Sequence, residues 1–580
     1  MTDKKTASFM QSLCAGEIEE EILLPYPEPR AEEKETLQAV FGTLKSLLGN
    51  RDKDFRAWDR AGEFTPAFVD ELKEAGLFGL VIPEQHGGLG LGAMAYSRVI
   101  QELGKYDGST AVTVGAHSSI GMRGLLLFGN EEQRARYMPK LATGEMIAAF
   151  CLTEPGAGSD AAGIKTNAVK DGDDWILNGE KIWITNGGIA DFFTVFAKTS
   201  SEGRGHITAF IVTRDMKGVT TGPHEDKMGI RASSTTTVVL EDVRVPAANV
   251  LGEVGKGFKV AMKILNSGRT GLGGGSVGGM KRLIGFSVEQ AKGRVQFGQP
   301  ISTFATIQDK IGQMVIDAYA SESVVNLVAG LVDRGFEEYA VEAAISKVLS
   351  TEMLWKTSDE ALQIAAGQGF MREMPYEMAM RDCRINRIFE GTNEILRLFI
   401  ALTAMNDVAE DLKEIAASTR GIFDDPIKGF GVLSDYARKR ASLVTGLRRE
   451  KGKWTMLHAS LAEEAALHEE GTTELAKAAD RILRRFGKKI IGQQLVTRRL
   501  ADIMIDLFAM SAVLSRVSTK IDDHGEAAAS VEREIAKAFV RQAKRRVDRN
   551  FAAIDDNEDE AVKSLAKHVL EVGRYEWDNV

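Results

Sequence analysis

The segment Arg387-Ile-Phe-Glu-Gly-Thr-Asn-Glu-Ile-Leu-Arg397 sets one carboxylate, Glu390, between an apolar pair and a turn. Gly391 reaches backbone conformations that a Cβ resists, and Thr392 suits the N-cap of a helix continuing through Ile395, Leu396 and Phe399. Glu390 therefore stands just ahead of a helix. Ile388 and Phe389 are expected to strip water from its carboxyl, which raises the pKa and makes a better general base near neutral pH. An ordinary loop glutamate is the competing reading of these residues taken alone.

Other segments have types and spacing suited to binding. Phe150-Cys-Leu-Thr-Glu-Pro-Gly-Ala-Gly-Ser-Asp160 reads as a strand entering a turn whose glycines let backbone N–H groups approach an anionic or acceptor-rich ligand, or as a plain Pro-Gly loop. Asn178-Gly-Glu-Lys-Ile-Trp-Ile-Thr-Asn-Gly187 has turn residues at each end and strict alternation between, placing Trp183 and Thr185 on one face and Ile182 and Ile184 on the other. A Trp beside a hydroxyl can pack on and hydrogen-bond to a planar heterocycle, although a strand Trp also serves as core. In Arg294-Val-Gln-Phe-Gly298, the arginine has the permanent charge and forked donors that suit a phosphate, or a surface ion pair. Gly273-Gly-Gly-Ser-Val-Gly278 satisfies GxGxxG, but it follows a helical run instead of a strand, so close helix packing is expected. With no Walker A or HExxH sequence and eight scattered histidines, neither metal nor ATP chemistry is expected.

The elements that must position these residues point to an α+β chain. Its 580 residues exceed one core, and 44% hydrophobic content supports several. Helical periodicity over 1–148 gives way to β-branched and aromatic runs over 149–258, including Asp191–Ala197 and Thr235–Leu240. It returns over 259–405, and a further helical extension covers 406–580. A net charge of -9 argues against general nucleic-acid binding. Three separated cysteines argue against a disulfide framework. Neither an export signal at the N-terminus nor an apolar run of spanning length is expected. Between Lys428 and Lys453, eight basic and two acidic residues accompany Leu433, Ala437, Val444 and Leu447 at helical spacing. That stretch suits an anionic membrane surface, or a solvated helix packed on its own domain.

Together the segments resemble the acyl-CoA dehydrogenase family, in particular its very-long-chain branch, over nearly the whole chain. The resemblance implies that Glu390 removes the α-proton of an acyl-CoA while the β-carbon delivers hydride to FAD, giving trans-2-enoyl-CoA. It implies that Phe150, Leu152 and Thr153 meet the flavin, that Gly158 and Ser159 approach the pyrophosphate and thioester, and that Trp183, Ile184 and Thr185 lie by the ring near N5. Arg294 and Phe297 would reach the FAD of a neighbouring subunit, with Gln363, Ala366, Gly367, Thr392 and Glu394 completing the cofactor contacts. On the substrate side it implies Ser159, Asn266, Arg269 toward CoA, Gly391, and the small Gly115 and Ala116, which would deepen the acyl pocket. A minority branch carries its base immediately before the arginine, where Gly268 stands here. The expected partners are a long-chain acyl-CoA, an electron-transferring flavoprotein and a second copy of the chain, because the extension fills the space where tetrameric relatives place their other dimer. The expected compartment is the cytoplasm of a bacterium or the mitochondrial matrix. An acyl-CoA oxidase and a non-enzymatic respiratory assembly factor on the same fold are the competing functions.

Overall fold

The computed structural model describes residues 8–200, 206–406 and 452–578. The basic stretch 428–453, apart from Gly452 and Lys453, lies outside the described residues. The described residues form two compact units, one of 25–200 with 206–396 and one of 8–24 with 397–406 and 452–578.

In the first unit, helices from Glu33–Leu48 to Glu131–Thr143 precede a β-sheet of strands β1 (Ala148–Cys151), β2 (Asn167–Asp171), β3 (Asp174–Thr185), β4 (Phe192–Lys198), β5 (Ile207–Thr213), β6 (Val219–Thr221), β7 (Thr235–Pro246) and β8 (Val250–Leu251). The order is β6-β7-β3-β2-β4-β5-β8, and β1 lies parallel to β4 with Ala148 opposite Phe192. Every residue of β5, and every residue of β4 but its last, is buried, so both strands are covered on both faces and are mostly apolar instead of alternating.

The long antiparallel pair β3·β7 departs from the alternation expected over 178–187. Its register shifts between Leu177 and Gly179 and again between Lys181 and Ile184. Trp183 occupies the second irregularity at φ 57° and is 62% exposed, while its neighbour Ile184 is buried. A bulge inserts a residue and re-aims the side chains around it, which the period-two pattern cannot anticipate.

The helices Gly257–Gly293, Ala305–Asp333 and Ala340–Ala365 follow the sheet. The glycines at 273–278 serve helix packing, as expected. A Cβ on Gly278 would lie 2.0 Å from the Gln101 carbonyl oxygen, and one on Gly104 would lie 2.5 Å from that of Gly275. The helix Ala305–Asp333 is long and apolar enough to cross a membrane, at mean hydropathy 1.4, but 78% of that window is buried within the protein. That burial marks it as a core helix.

The second unit holds the short helices Phe9–Cys14 and Glu20–Leu23 and the longer Ala462–Phe486, Gln494–His524, Ser530–Asp555 and Asp559–Val572. Its core includes His468, which accepts from Trp454 Nε1 at 3.1 Å and lies 2.8 Å from Ser511 Oγ.

Candidate functional site

A 3₁₀ turn, Ile385–Arg387, follows the helix Pro375–Arg384, and the chain then takes positive φ at Glu390 (59°) and Gly391 (92°). For the residue with a Cβ this costs about 1–3 kcal/mol, which surrounding structure must offset. Arg269 Nε donates to the Glu390 carbonyl oxygen at 3.3 Å, and Lys347 Nζ donates to that of Gly391 at 2.8 Å. Thr392 caps the following helix as expected, its Oγ1 accepting from Ile395 N–H at 3.3 Å.

The turn aims the Glu390 carboxyl inward. Its Oε2 is buried without a hydrogen-bond partner. Burial pushes the pKa up to about 7, and the nearby charges of Arg269 and Lys347 only partly oppose it. Ile388 does not share in this desolvation, because it is 46% exposed. The water is excluded instead by the walls of a cavity, among them Phe389, Ile120 and Gly268.

That cavity is mostly apolar. The helix Gly257–Gly293 presents Gly268, Gly271, Gly275 and Gly279 to it, and the segment 108–120 presents Gly108, Ala111, Gly115, Ala116 and Ile120. A Cβ on Gly115 would meet nothing within 4 Å. Its missing side chain is therefore cavity space, not a helix contact. Thr185, at the end of β3, lines the same cavity. Four expected site residues, Glu390, Gly115, Ala116 and Thr185, thus meet in one space.

The others are placed around it. Asn266 and Arg269 are buried, with Asn266 Oδ1 accepting from Arg269 Nη1 at 3.1 Å, so Arg269 is brought to the base loop. Phe150 ends in a tilted ring contact with Phe196, and Leu152 joins the core. The carbonyl oxygen of Thr153 accepts from Ile182 N–H at 3.0 Å, which ties the 152–159 turn to β3. Gly158 and Ser159 are exposed. Arg294 and Phe297 lie on the exposed hairpin Val295–Gln296/Gln299–Pro300, with Phe297 94% exposed, and Gln363, Ala366, Gly367 and Glu394 are exposed as well. None of these lines the cavity.

Two buried lysines escaped the sequence reading. Lys181 Nζ donates to Glu154 Oε1 at 2.7 Å and to the carbonyl oxygens of Phe196 at 2.7 Å and Leu152 at 3.3 Å. It thereby pins the turn that carries Thr153. Lys347 lies under Gly391. The available signal was its place in the apolar run Ala343-Ala-Ile-Ser-Lys-Val-Leu349.

Sequence profiles for the acyl-CoA dehydrogenase N-terminal, middle and C-terminal domains match residues 34–145, 149–243 and 255–405. A profile described as ACAD9/ACADV, C-terminal domain, matches 459–575. The human very long-chain specific acyl-CoA dehydrogenase, mitochondrial, is 40% identical over 99% of this chain and 90% of that protein. The chain belongs to the acyl-CoA dehydrogenase family. A probable acyl-CoA dehydrogenase of Bacillus subtilis is 38% identical over 83% of this chain and 80% of its own length. Among solved structures, an acyl-CoA dehydrogenase from Bacillus anthracis complexed with FAD is similar with a TM-score of 0.80 at 33% identity, covering 98% of this chain and 96% of that one. The butyryl-CoA dehydrogenase of Megasphaera elsdenii (TM-score 0.62, 36% identity) covers 99% of itself but only 65% of this longer acyl-CoA dehydrogenase.

This acyl-CoA dehydrogenase is an FAD-dependent oxidoreductase, and its residues fit a flavin. The Trp183 ring stands exposed on the β3 bulge two positions before Thr185, which opens onto the Glu390 cavity. Gly156 and Gly158 leave open space over the backbone of the neighbouring turn. An exposed indole, a hydroxyl and bare backbone suit a planar heterocycle with a phosphate tail.

Proposed function

We propose that this acyl-CoA dehydrogenase converts long- and very-long-chain acyl-CoA thioesters to trans-2-enoyl-CoA, with Glu390 removing the α-proton. The observation that carries the reading is a carboxyl whose Oε2 is buried without a partner, its pKa raised to about 7, facing an apolar cavity that also receives Thr185. A base poised near working pH couples availability to driving force and contributes roughly a hundred- to ten-thousand-fold. The Glu390 backbone N–H donates to no group among the described residues, so it is available to the thioester carbonyl as negative charge develops there. FAD, when bound, supplies the two-electron acceptor for the hydride lost from the β-carbon.

Cavity depth supports a long chain. The wall contributed by Gly257–Gly293 runs from Gly268 to Phe286, roughly 27 Å at 1.5 Å per residue, with glycine at every turn from 268 to 279. On this reading the electrons pass to an electron-transferring flavoprotein, the Phe297 hairpin is covered by a second copy of the chain, and the enzyme works in the bacterial cytoplasm or the mitochondrial matrix.

Anaerobic bleaching of the flavin by C4, C8, C16 and C20 acyl-CoA tests the proposal. Bleaching strongest at C16 or C20 and abolished in Glu390→Gln is the expected result. Bleaching by none of them would overturn it, and peroxide formation in air would reassign the electron acceptor to oxygen.

A further inference from the structure

Lys347 has no part in the chemistry just described, yet it is fully buried in the middle of the helix Ala340–Ala365. Taking an ammonium out of water is costly, and an apolar residue of similar length would fill the same space at lower cost. Its contacts show what the charge is spent on. Nζ donates to the Gly391 carbonyl oxygen at 2.8 Å and to Asn393 Oδ1 at 2.7 Å, both just after Glu390 in the chain. Asn393 Nδ2 donates in turn to Thr351 Oγ1 at 3.1 Å and to Glu352 Oε1 at 2.9 Å. Glu352 Oε2 pairs with Arg387 Nε at 2.9 Å, just before the base. Positions 347, 351 and 352 of one helix therefore hold the strained loop on both sides of Glu390.

No donor touches Glu390 Oε2 itself, so a cation nearby acts on it through space. The charged groups around Glu390 are Arg269 on the helix Gly257–Gly293, Lys347 and Glu352 on Ala340–Ala365, Glu394 on Asn393–Ala404 and Arg387 in the loop. Arg269 favours the carboxylate, and Arg387 is already neutralised by Glu352. Lys347 favours it too, but burial pulls the lysine's own pKa down to about 7, so its charge is held against desolvation partly by the carboxylate it faces.

We propose that Lys347 is a positioning residue for Glu390, fixing the loop that aims the carboxyl and supplying a positive charge that favours its ionised form. The inference rests on Glu390 being the base. It is tested with FAD-loaded enzyme by following flavin reduction by palmitoyl-CoA from about pH 5.5 to 9 in the parent and in Lys347→Gln, Lys347→Met and Lys347→Arg. Lys347→Gln keeps a donor but loses the charge, and its rate profile should move about one unit to higher pH. Lys347→Met loses both, so its limiting rate at high pH should also fall about tenfold or more. Lys347→Arg, whose charge does not titrate in this range, should bring the midpoint to the parental value or below it. A parental midpoint in the Gln variant overturns the proposal, even if the melting temperature drops, because a lysine that only holds the fold would not move the profile. If Lys347→Met does not fold, the Gln and Arg midpoints still decide. Should the parent resist reduction, or Glu390→Gln be reduced at the parental rate, the base assignment itself fails and the role of Lys347 falls with it, an outcome distinct from a parental midpoint in the Gln variant.

Discussion

The space occupied by the Glu390 carboxyl is the space a side chain at position 268 would enter: a Cβ on Gly268 would lie 2.8 Å from Oε2 and 2.7 Å from Ile120 Cγ2. Glycine inside a helix costs about 1 kcal/mol relative to alanine, and here it leaves room for a carboxylate pressed against the cavity wall. Gly268→Ala should therefore displace the base. The flavin reduction rate is expected to fall at least about tenfold, since small misplacements of reacting groups are expensive, while FAD content is retained. Stopped-flow reduction beside the flavin absorbance ratio would show it; a parental rate would mean that the carboxyl is free to shift.

Burial of Glu390 predicts a pH dependence of known sign. Its folded pKa, about 7, exceeds the ordinary 4.5. The folded state therefore holds more protons between those values, and stability falls as pH rises through that window. Glu390→Gln removes the penalty. Near pH 8 it should melt higher than the parent, by a difference on the order of 1–3 kcal/mol, and near pH 4 the two should converge. The same variant should lose flavin reduction, and the parental kcat/KM should rise with pH through about 7.

The Lys181–Glu154 pair predicts a structural loss that reaches the flavin. Both side chains are buried, and Glu154 also accepts from the Thr166 N–H at 3.0 Å. Removing one member of a buried pair strands the other, at about 3–5 kcal/mol. Lys181→Met should lower the melting temperature and copurify with less FAD. Lys181→Met/Glu154→Leu should recover much of the melting temperature but not the FAD, because the turn bearing Thr153 keeps its backbone bond to Ile182 but loses the Lys181 tethers to Leu152 and Glu154.

Acyl length should respond to Gly115. Open space lies over its Cα, so Gly115→Leu projects a branched side chain into the cavity and gains up to about 1 kcal/mol of helix propensity. Activity toward C16 and C20 substrates is expected to fall much more than activity toward C4, read as the ratio of kcat/KM values. Equal losses at every length would place Gly115 outside the acyl path.

What could be read along the chain was local. The Gly391 turn, the Thr392 cap and the glycine packing of 273–278 all follow from interactions within a few residues or from one helix's own surface. The alternation over 178–187 failed at Trp183 because the bulge belongs to the pairing of β3 with β7, a property of two strands. Ile388 was expected beside the carboxyl and faces solvent instead, because a tight turn sends adjacent side chains apart.

The sequence by itself determined the α+β arrangement, the family and the carboxylate that stands before a helix, since composition, periodicity and short motifs survive in one dimension. Only the tertiary structure decided which of these groups lost their water. Glu390 acquires its raised pKa from walls supplied by Gly268 and Ile120, Thr185 joins it from a strand far earlier in the chain, and Lys347 is drawn beneath Gly391 by helix packing. Desolvation and through-space charge depend on distance in three dimensions, and residues remote in sequence set that distance.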